Sequence, residues 1–171
     1  MATIRPGRSA RRLERPWTRF ATKKTKSYIP TKPTPKIHQF NMGDPSGTFD
    51  VTLNLVARNS VQIRDNALEA SRIVAQKFLE MKLGRGYFFK VLLYPHQIIR
   101  EKPIAQGAGA DRYSRGMKLA FGKPARTAVI IKRNQALMRL ETTKNNIPIA
   151  KIALKKASLK LSTPMKIIVG E

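Results

Sequence analysis

Charge limits what this chain can fold into more than any other feature. It carries 34 Lys+Arg against 10 Asp+Glu, a formal net charge of +24 on 171 residues. A compact state with that excess repels itself unless a polyanion supplies counter-charge. The phosphate backbone of nucleic acid is the commonest such partner. The hydrophobic fraction of 42% is still enough for a core, which excludes a wholly disordered basic protein. There is no cysteine, so disulfides, cysteine-bearing zinc sites and thiol nucleophiles are excluded. No apolar run approaches the ~20 residues that span a bilayer, and the basic N-terminus lacks the apolar segment of a secretory signal. These features give the expectation of a soluble intracellular protein.

The charge is unevenly placed. Residues 1–36 hold Arg5, Arg8, Arg11, Arg12, Arg15, Arg19, Lys23, Lys24, Lys26, Lys32 and Lys36, opposed only by Glu14. They also hold Pro6, Pro16, Pro30, Pro33 and Pro35, each of which removes an N–H and fixes φ. This segment reads as an extended RNA-binding arm that orders on its partner. Trp17, Phe20 and Tyr28 lie among its cations. They suit stacking on bases or sugars, and equally suit anchoring the arm to the domain's own surface.

Residues 37–171 read as one α+β domain. A turn-rich stretch over 41–47 precedes an alternating strand over 48–56, with Phe49, Val51, Leu53 and Leu55 on one face. Asn66, with Glu69 three residues on, suits a helix-capping box. Ala67, Ala70, Val74, Phe78 and Met81 follow at helical spacing, and Gly84 supplies the stop. Residues 87–94 read as a buried strand that Pro95 interrupts, with 97–100 its continuation or neighbour. Two strands follow over 127–132 and 136–142, joined by a hairpin turn at 133–135. A second helix begins near Asn146 with Pro148 in its first turn. Its apolar face is Ile149, Ile152, Ala153, Ala157 and Leu159, and Lys151, Lys155, Lys156 and Lys160 ride outside. A last strand covers 165–169. Runs of strands with two helices predict a mostly antiparallel sheet with both helices on one face.

Residues 101–126 interrupt this pattern with a long loop lacking hydrophobic periodicity. Gly107, Gly109, Gly116 and Gly122 let the backbone approach another backbone closely. Arg100, Lys102, Arg112, Arg115, Lys118, Lys123 and Arg126 outnumber Glu101 and Asp111. Glycine with arginine suits phosphate contact, because side chains and N–H groups both donate. A solvated mobile loop is the plainer account, but the arm shows the same bias independently, which favours RNA. Residues 116–124 (GMKLAFGKP) are not a P-loop. Five residues separate the glycines, and Pro124 stands where a Mg²⁺-binding hydroxyl is required. His38 and His96 are the only histidines and have no carboxylate beside them in sequence, so a ribonuclease-like acid–base pair is disfavoured. No metal or cofactor is expected.

GAGADRYSRGMKLAFGKP at 107–124 resembles the signature segment of the archaeal and eukaryotic large-subunit ribosomal protein ten-e, the counterpart of bacterial large-subunit protein sixteen. NALEASRIVAQKF, KVLLYPHQIIREK and TPKIHQFNMG resemble the same family, so the likeness spans about residues 30–142. The resemblance implies a hammerhead-like α+β fold and a non-enzymatic, cytoplasmic ribosomal component that is not a homo-oligomer. It also implies binding to large-subunit ribosomal RNA at the base of the central protuberance, near the five-S RNA region, among neighbouring ribosomal proteins. Its loop, with Gly107, Gly109, Arg112, Arg115 and Gly116, would reach toward the peptidyl-transferase centre and tRNA in the A and P sites. Apart from the resemblance, the charge pattern assigns the remaining RNA contacts to the arm, Trp17 included, and to Arg100, Lys102, Lys118, Lys123 and Arg126. Met117 and the residues to Phe121 would anchor the loop's return, with Leu119 or Phe121 buried.

Overall fold

The structure, a computed structural model, describes residue 29 and residues 31–102, 105–113 and 122–170. Among these residues, eight strands, two long helices and one short α-helix follow in chain order. They are β1 (Asn41–Gly43), β2 (Val51–Ala57), β3 (Val61–Arg64), α1 (Asp65–Leu83), β4 (Tyr87–Val91), β5 (Gln97–Glu101), α2 (Ala110–Tyr113), β6 (Lys123–Ile131), β7 (Ala136–Thr142), α3 (Ile147–Ser158) and β8 (Met165–Gly170). The α+β class expected from the sequence is what forms, and every strand pairing among the described residues is antiparallel.

The strands divide into two sheets: five strands in the order β1-β4-β7-β2-β8, and three in the order β3-β6-β5. In the larger sheet the register aligns Met42, Phe89, Leu140, Leu53 and Val169 in one row across all five strands. Phe89, Leu140 and Leu53 are fully buried there. Both long helices pack on this face, α1 against β4, and α3 against β2, β7 and β8. From Val51 to Leu55 the odd positions of β2 are buried and Thr52 and Asn54, on the other face, are half-buried; the alternation ends at Val56, which is buried.

The split into two sheets corrects the hairpin expected at 133–135. A turn does form, with Asn134 at φ +63° and the Gln135 N–H on the Lys132 carbonyl at 3.2 Å. The flanking β6 and β7 nevertheless pair with different partners, in different sheets. The Asn134 N–H donates to the Ala57 carbonyl at 2.8 Å, so the turn docks on the end of β2. The strand expected over 87–94 stops at Val91, and the chain then crosses to the smaller sheet, leaving Leu92 and Tyr94 exposed. Residues 41–43, read as turn, pair with β4 instead. The strand read from 127 begins at Lys123, because a bulge between Ile99 and Arg100 accommodates Pro124 in the ladder.

Both helix faces differ from their expected stripes. In α1 the buried positions are Asp65, Leu68, Ser71, Arg72, Ala75 and Leu79, while Met81 is 69% exposed. Two polar side chains disguise this stripe. Ser71 Oγ donates to the Leu68 carbonyl at 3.1 Å, and Arg72 is held by both Glu69 oxygens at 2.6 and 2.9 Å. Glu69 therefore completes no capping box with Asn66; Arg64 is the N-cap and makes no side-chain cap bond. In α3 the buried residues are Ala150, Ala153, Leu154 and Ala157, while Ile152 and Leu159 are exposed. Lys156 Nζ lies 3.7 Å from the centroid of the Phe78 ring, joining the two helices by a cation–π contact.

Candidate nucleic-acid interface

The glycine-rich loop leaves the smaller sheet from β5 and returns through β6. The ladder at that point pairs Ile99 with Arg126, Arg100 with Pro124, and Glu101 with Lys123. Four cations singled out in the sequence, Arg100, Lys102, Lys123 and Arg126, are thereby gathered at the loop's base. Lys123 is exposed and the other three are half-buried. Only Glu101 brings a carboxylate to this ladder end.

In the described part of the loop, Gly107 and Gly109 have φ of +112° and +75°. A Cβ at Gly107 would meet nothing within 4 Å, so backbone conformation rather than space calls for glycine there. The Ala110 N–H donates to the Gly107 carbonyl at 3.2 Å and the Arg112 N–H to the Gly109 carbonyl at 3.0 Å. These bonds start α2 and set Arg112 on the surface. Arg115, Gly116, Lys118, Leu119 and Phe121 lie outside the described residues.

Most of the arm also lies outside them: Arg5, Arg8, Arg11, Arg12, Arg15, Trp17, Arg19, Phe20, Lys23, Lys24, Lys26 and Tyr28. Its C-terminal root is described, and it packs on the domain. Ile29 is 4% exposed, and Ile37 joins the main core. Lys32 Nζ sits 4.8 Å from the centroid of the Tyr94 ring, itself 5.7 Å from that of Phe40. The Lys36 N–H donates to Asp65 Oδ2 at 2.9 Å, while the residue itself is exposed.

Sequence reasoning missed Asp65. Its carboxylate is fully buried and accepts from Lys36 N–H, from Asn66 N–H at 2.8 Å and from Thr127 Oγ1 at 3.2 Å. Thr127 follows Arg126 in β6. One acid thus ties the arm's root, the start of α1 and the loop's return strand together. The available signal was an acid opening a helix in a chain with so few acids.

His38 and His96 are both exposed, and His96 Nδ1 lies 3.1 Å from the Tyr94 carbonyl oxygen. Among the described residues no group of three or more His, Asp or Glu side chains is placed to hold a metal ion, and no helix is long and apolar enough to cross a membrane.

A profile of the ribosomal protein L16p/L10e family matches residues 17–168. The large ribosomal subunit protein uL16 of Archaeoglobus fulgidus is 45% identical over 166 residues, which is 96% of this chain and 92% of that protein. The protein of the same name from Methanococcus aeolicus is 41% identical over 170 residues, 98% of this chain and 95% of its own. That from Hyperthermus butylicus is 41% identical over 143 residues, covering 83% and 79%. The match runs through both sheets, both long helices and the glycine loop, so by its sequence this chain belongs to the ribosomal protein L16p/L10e family.

Proposed function

We propose that this chain is a structural component of the large subunit of cytoplasmic ribosomes, bound to large-subunit ribosomal RNA through its arm and loop base. Its family is one of ribosomal proteins, not of enzymes. The observation that carries the reading is the cluster of Arg100, Lys102, Lys123 and Arg126 beneath a glycine-rich loop, one tether away from a basic arm. Arg at such positions donates two parallel bonds to phosphate, whereas Lys acts as a point charge. The domain docks on folded RNA by shape and phosphate contact, because the deep groove of an RNA helix is closed to side chains. The arm threads between RNA helices, with Arg5, Arg8, Arg11, Arg12, Arg15, Arg19, Lys23, Lys24 and Lys26 replacing mobile counterions.

Within the subunit, the proposed position is the base of the central protuberance near five-S RNA, among neighbouring ribosomal proteins. The loop, with Gly107, Gly109, Arg112, Arg115 and Gly116, reaches toward the peptidyl-transferase centre and tRNA in the A and P sites. Crosslinking in cells, with sequencing of attached RNA and gradient sedimentation of the same lysate, tests both levels. Crosslinks concentrated in large-subunit ribosomal RNA, in fractions containing that subunit, are expected. Crosslinks scattered over many RNAs, with the protein at the top of the gradient, overturn the proposal in favour of a free-standing binder. The loop's role is tested separately by Arg112→Ala with Arg115→Ala, which should impair tRNA positioning. Normal translation by purified variant ribosomes would remove that role from those two residues.

A further inference from the structure

The five-stranded sheet has a second face, turned away from α1 and α3. The same register that lines up the core row places Asn41, Lys90, Arg139, Asn54 and Ile168 in a row across all five strands of this face. The adjacent row is Gly43, Phe88, Glu141, Thr52 and Gly170. Lys90, Arg139, Asn41 and Ile168 are exposed, and Phe88 is half-exposed although its neighbours Tyr87 and Phe89 are fully buried. Glu141 is the one carboxylate in these two rows, and Arg139 Nε lies 3.7 Å from it. Lys166 adds a third cation on β8, two residues from Ile168 on the same side of the strand.

We infer that this open sheet face is a second RNA-binding platform, taking an unpaired, splayed base of ribosomal RNA on Phe88 with the adjoining phosphates on Lys90 and Arg139. The inference rests on the reading that the chain binds large-subunit ribosomal RNA, and it adds a surface built from β1, β2, β4, β7 and β8. An antiparallel sheet carrying an aromatic among cations and amides is a shape that single-stranded RNA can use. The ring offers a stacking surface to any base, while side chains beside it reach base edges and phosphates. Glu141 and Thr52 lie in the row of Phe88 and can meet the edge of the stacked base, a carboxylate accepting from an exocyclic amino group. Lys90 and Arg139 occupy the next row, where the backbone would run. A regular RNA duplex would bring its phosphates but no free base face, so the occupant is a loop, bulge or single-stranded segment.

The test uses the full chain with transcribed large-subunit ribosomal RNA. Ultraviolet crosslinking, digestion and mass spectrometry locate the modified residue. A nucleotide adduct on Phe88 is expected, within the tryptic peptide of residues 86–90. Phe88→Leu, which keeps an apolar strand side chain but no ring, should weaken binding roughly five- to 150-fold, the range of a lost base stack, with little change in melting. Lys90→Gln with Arg139→Gln should lower the salt dependence of binding by about 0.7 per lost phosphate contact. If the RNA binds but no adduct falls on Phe88 and both variants bind like the parent, the platform is overturned while the ribosomal RNA reading stands. A protein–protein crosslink from Lys90 or Lys166 in assembled subunits, without the adduct, overturns it in favour of a protein neighbour. If the parent chain shows no preference for ribosomal RNA, the platform and the RNA reading fall together.

Discussion

The Lys36 backbone N–H lies 2.9 Å from the buried Asp65 carboxylate, so the last residue of the basic arm is pinned to the first residue of α1. The same carboxylate accepts from Thr127, on the strand by which the glycine loop returns. Arm and loop thus diverge from one hydrogen-bonded centre. Asp65→Ala would leave the Thr127 hydroxyl and the Lys36 N–H without an acceptor, and unsatisfied buried donors are costly. The expected loss is about 2–3 kcal/mol in urea unfolding. Asp65→Asn keeps an acceptor oxygen and should lose less.

That centre also sets where the arm can be cut. Removing residues 1–28 should leave a cooperatively melting domain that assembles poorly into large subunits. Removing residues 1–36 also discards buried Ile29 and the Lys36 tether, so this truncation should melt measurably lower than the shorter one. Equal melting of the two would mean that the root contributes nothing.

The helix faces can be checked by a pair of substitutions two residues apart in α1. Leu79→Ala removes a fully buried side chain and should cost about 2–5 kcal/mol. Met81→Ala alters a side chain that is 69% exposed and should stay within about 0.5 kcal/mol of the parent. Denaturant midpoints of the two variants decide between this face and the stripe through Met81.

Gly43 has φ +86°, and a Cβ there would lie 2.1 Å from the Tyr87 carbonyl oxygen. That oxygen also accepts from the Asp44 N–H at 2.9 Å. Gly43→Ala therefore forces backbone against backbone where β1 meets β4, and should cost about 2 kcal/mol or more in thermal or urea unfolding.

Tyr87 gives a pH dependence. Burial, then the nearby Glu80 carboxylate, pushes its phenol up to about 12 from 10.0. Because the folded value is the higher one, its contribution to stability is fully present below pH 10. That contribution is lost as pH rises from about 10 through about 12, where the unfolded chain ionises first. Melting followed across this window should decline more steeply in the parent than in Tyr87→Phe, and the folded parent should show a late tyrosinate absorbance step that Tyr87→Phe lacks.

The α+β class, the extent of β7 and the starts of α3 and β8 were legible because each rests on local chemistry, such as strand alternation and Pro148 early in a helix. The buried faces of α1 and α3 were not. Ser71 and Arg72 look solvent-facing until the Leu68 carbonyl, Glu69 and Gln39 are seen to satisfy them. Met81, Ile152 and Leu159 look like core residues until the ends and outer sides of the helices prove uncovered. Of the RNA-binding candidates, residues 100–102 and 123–126 are brought to one ladder end by the pairing of β5 with β6, through a bulge that no periodicity announces.

By itself, the sequence determined the excess of positive charge, the α+β class and the family likeness, since charge, periodicity and motif letters need no partner in space to be read. Tertiary structure alone decided that the strands form two sheets, that Asp65 joins arm to loop, and that Phe88, Lys90 and Arg139 share one open face. Those are outcomes of strand register and long-range pairing. Neighbours such as Lys90 and Arg139 lie 49 residues apart in the chain, and a shift of one residue in register would turn each to the opposite face.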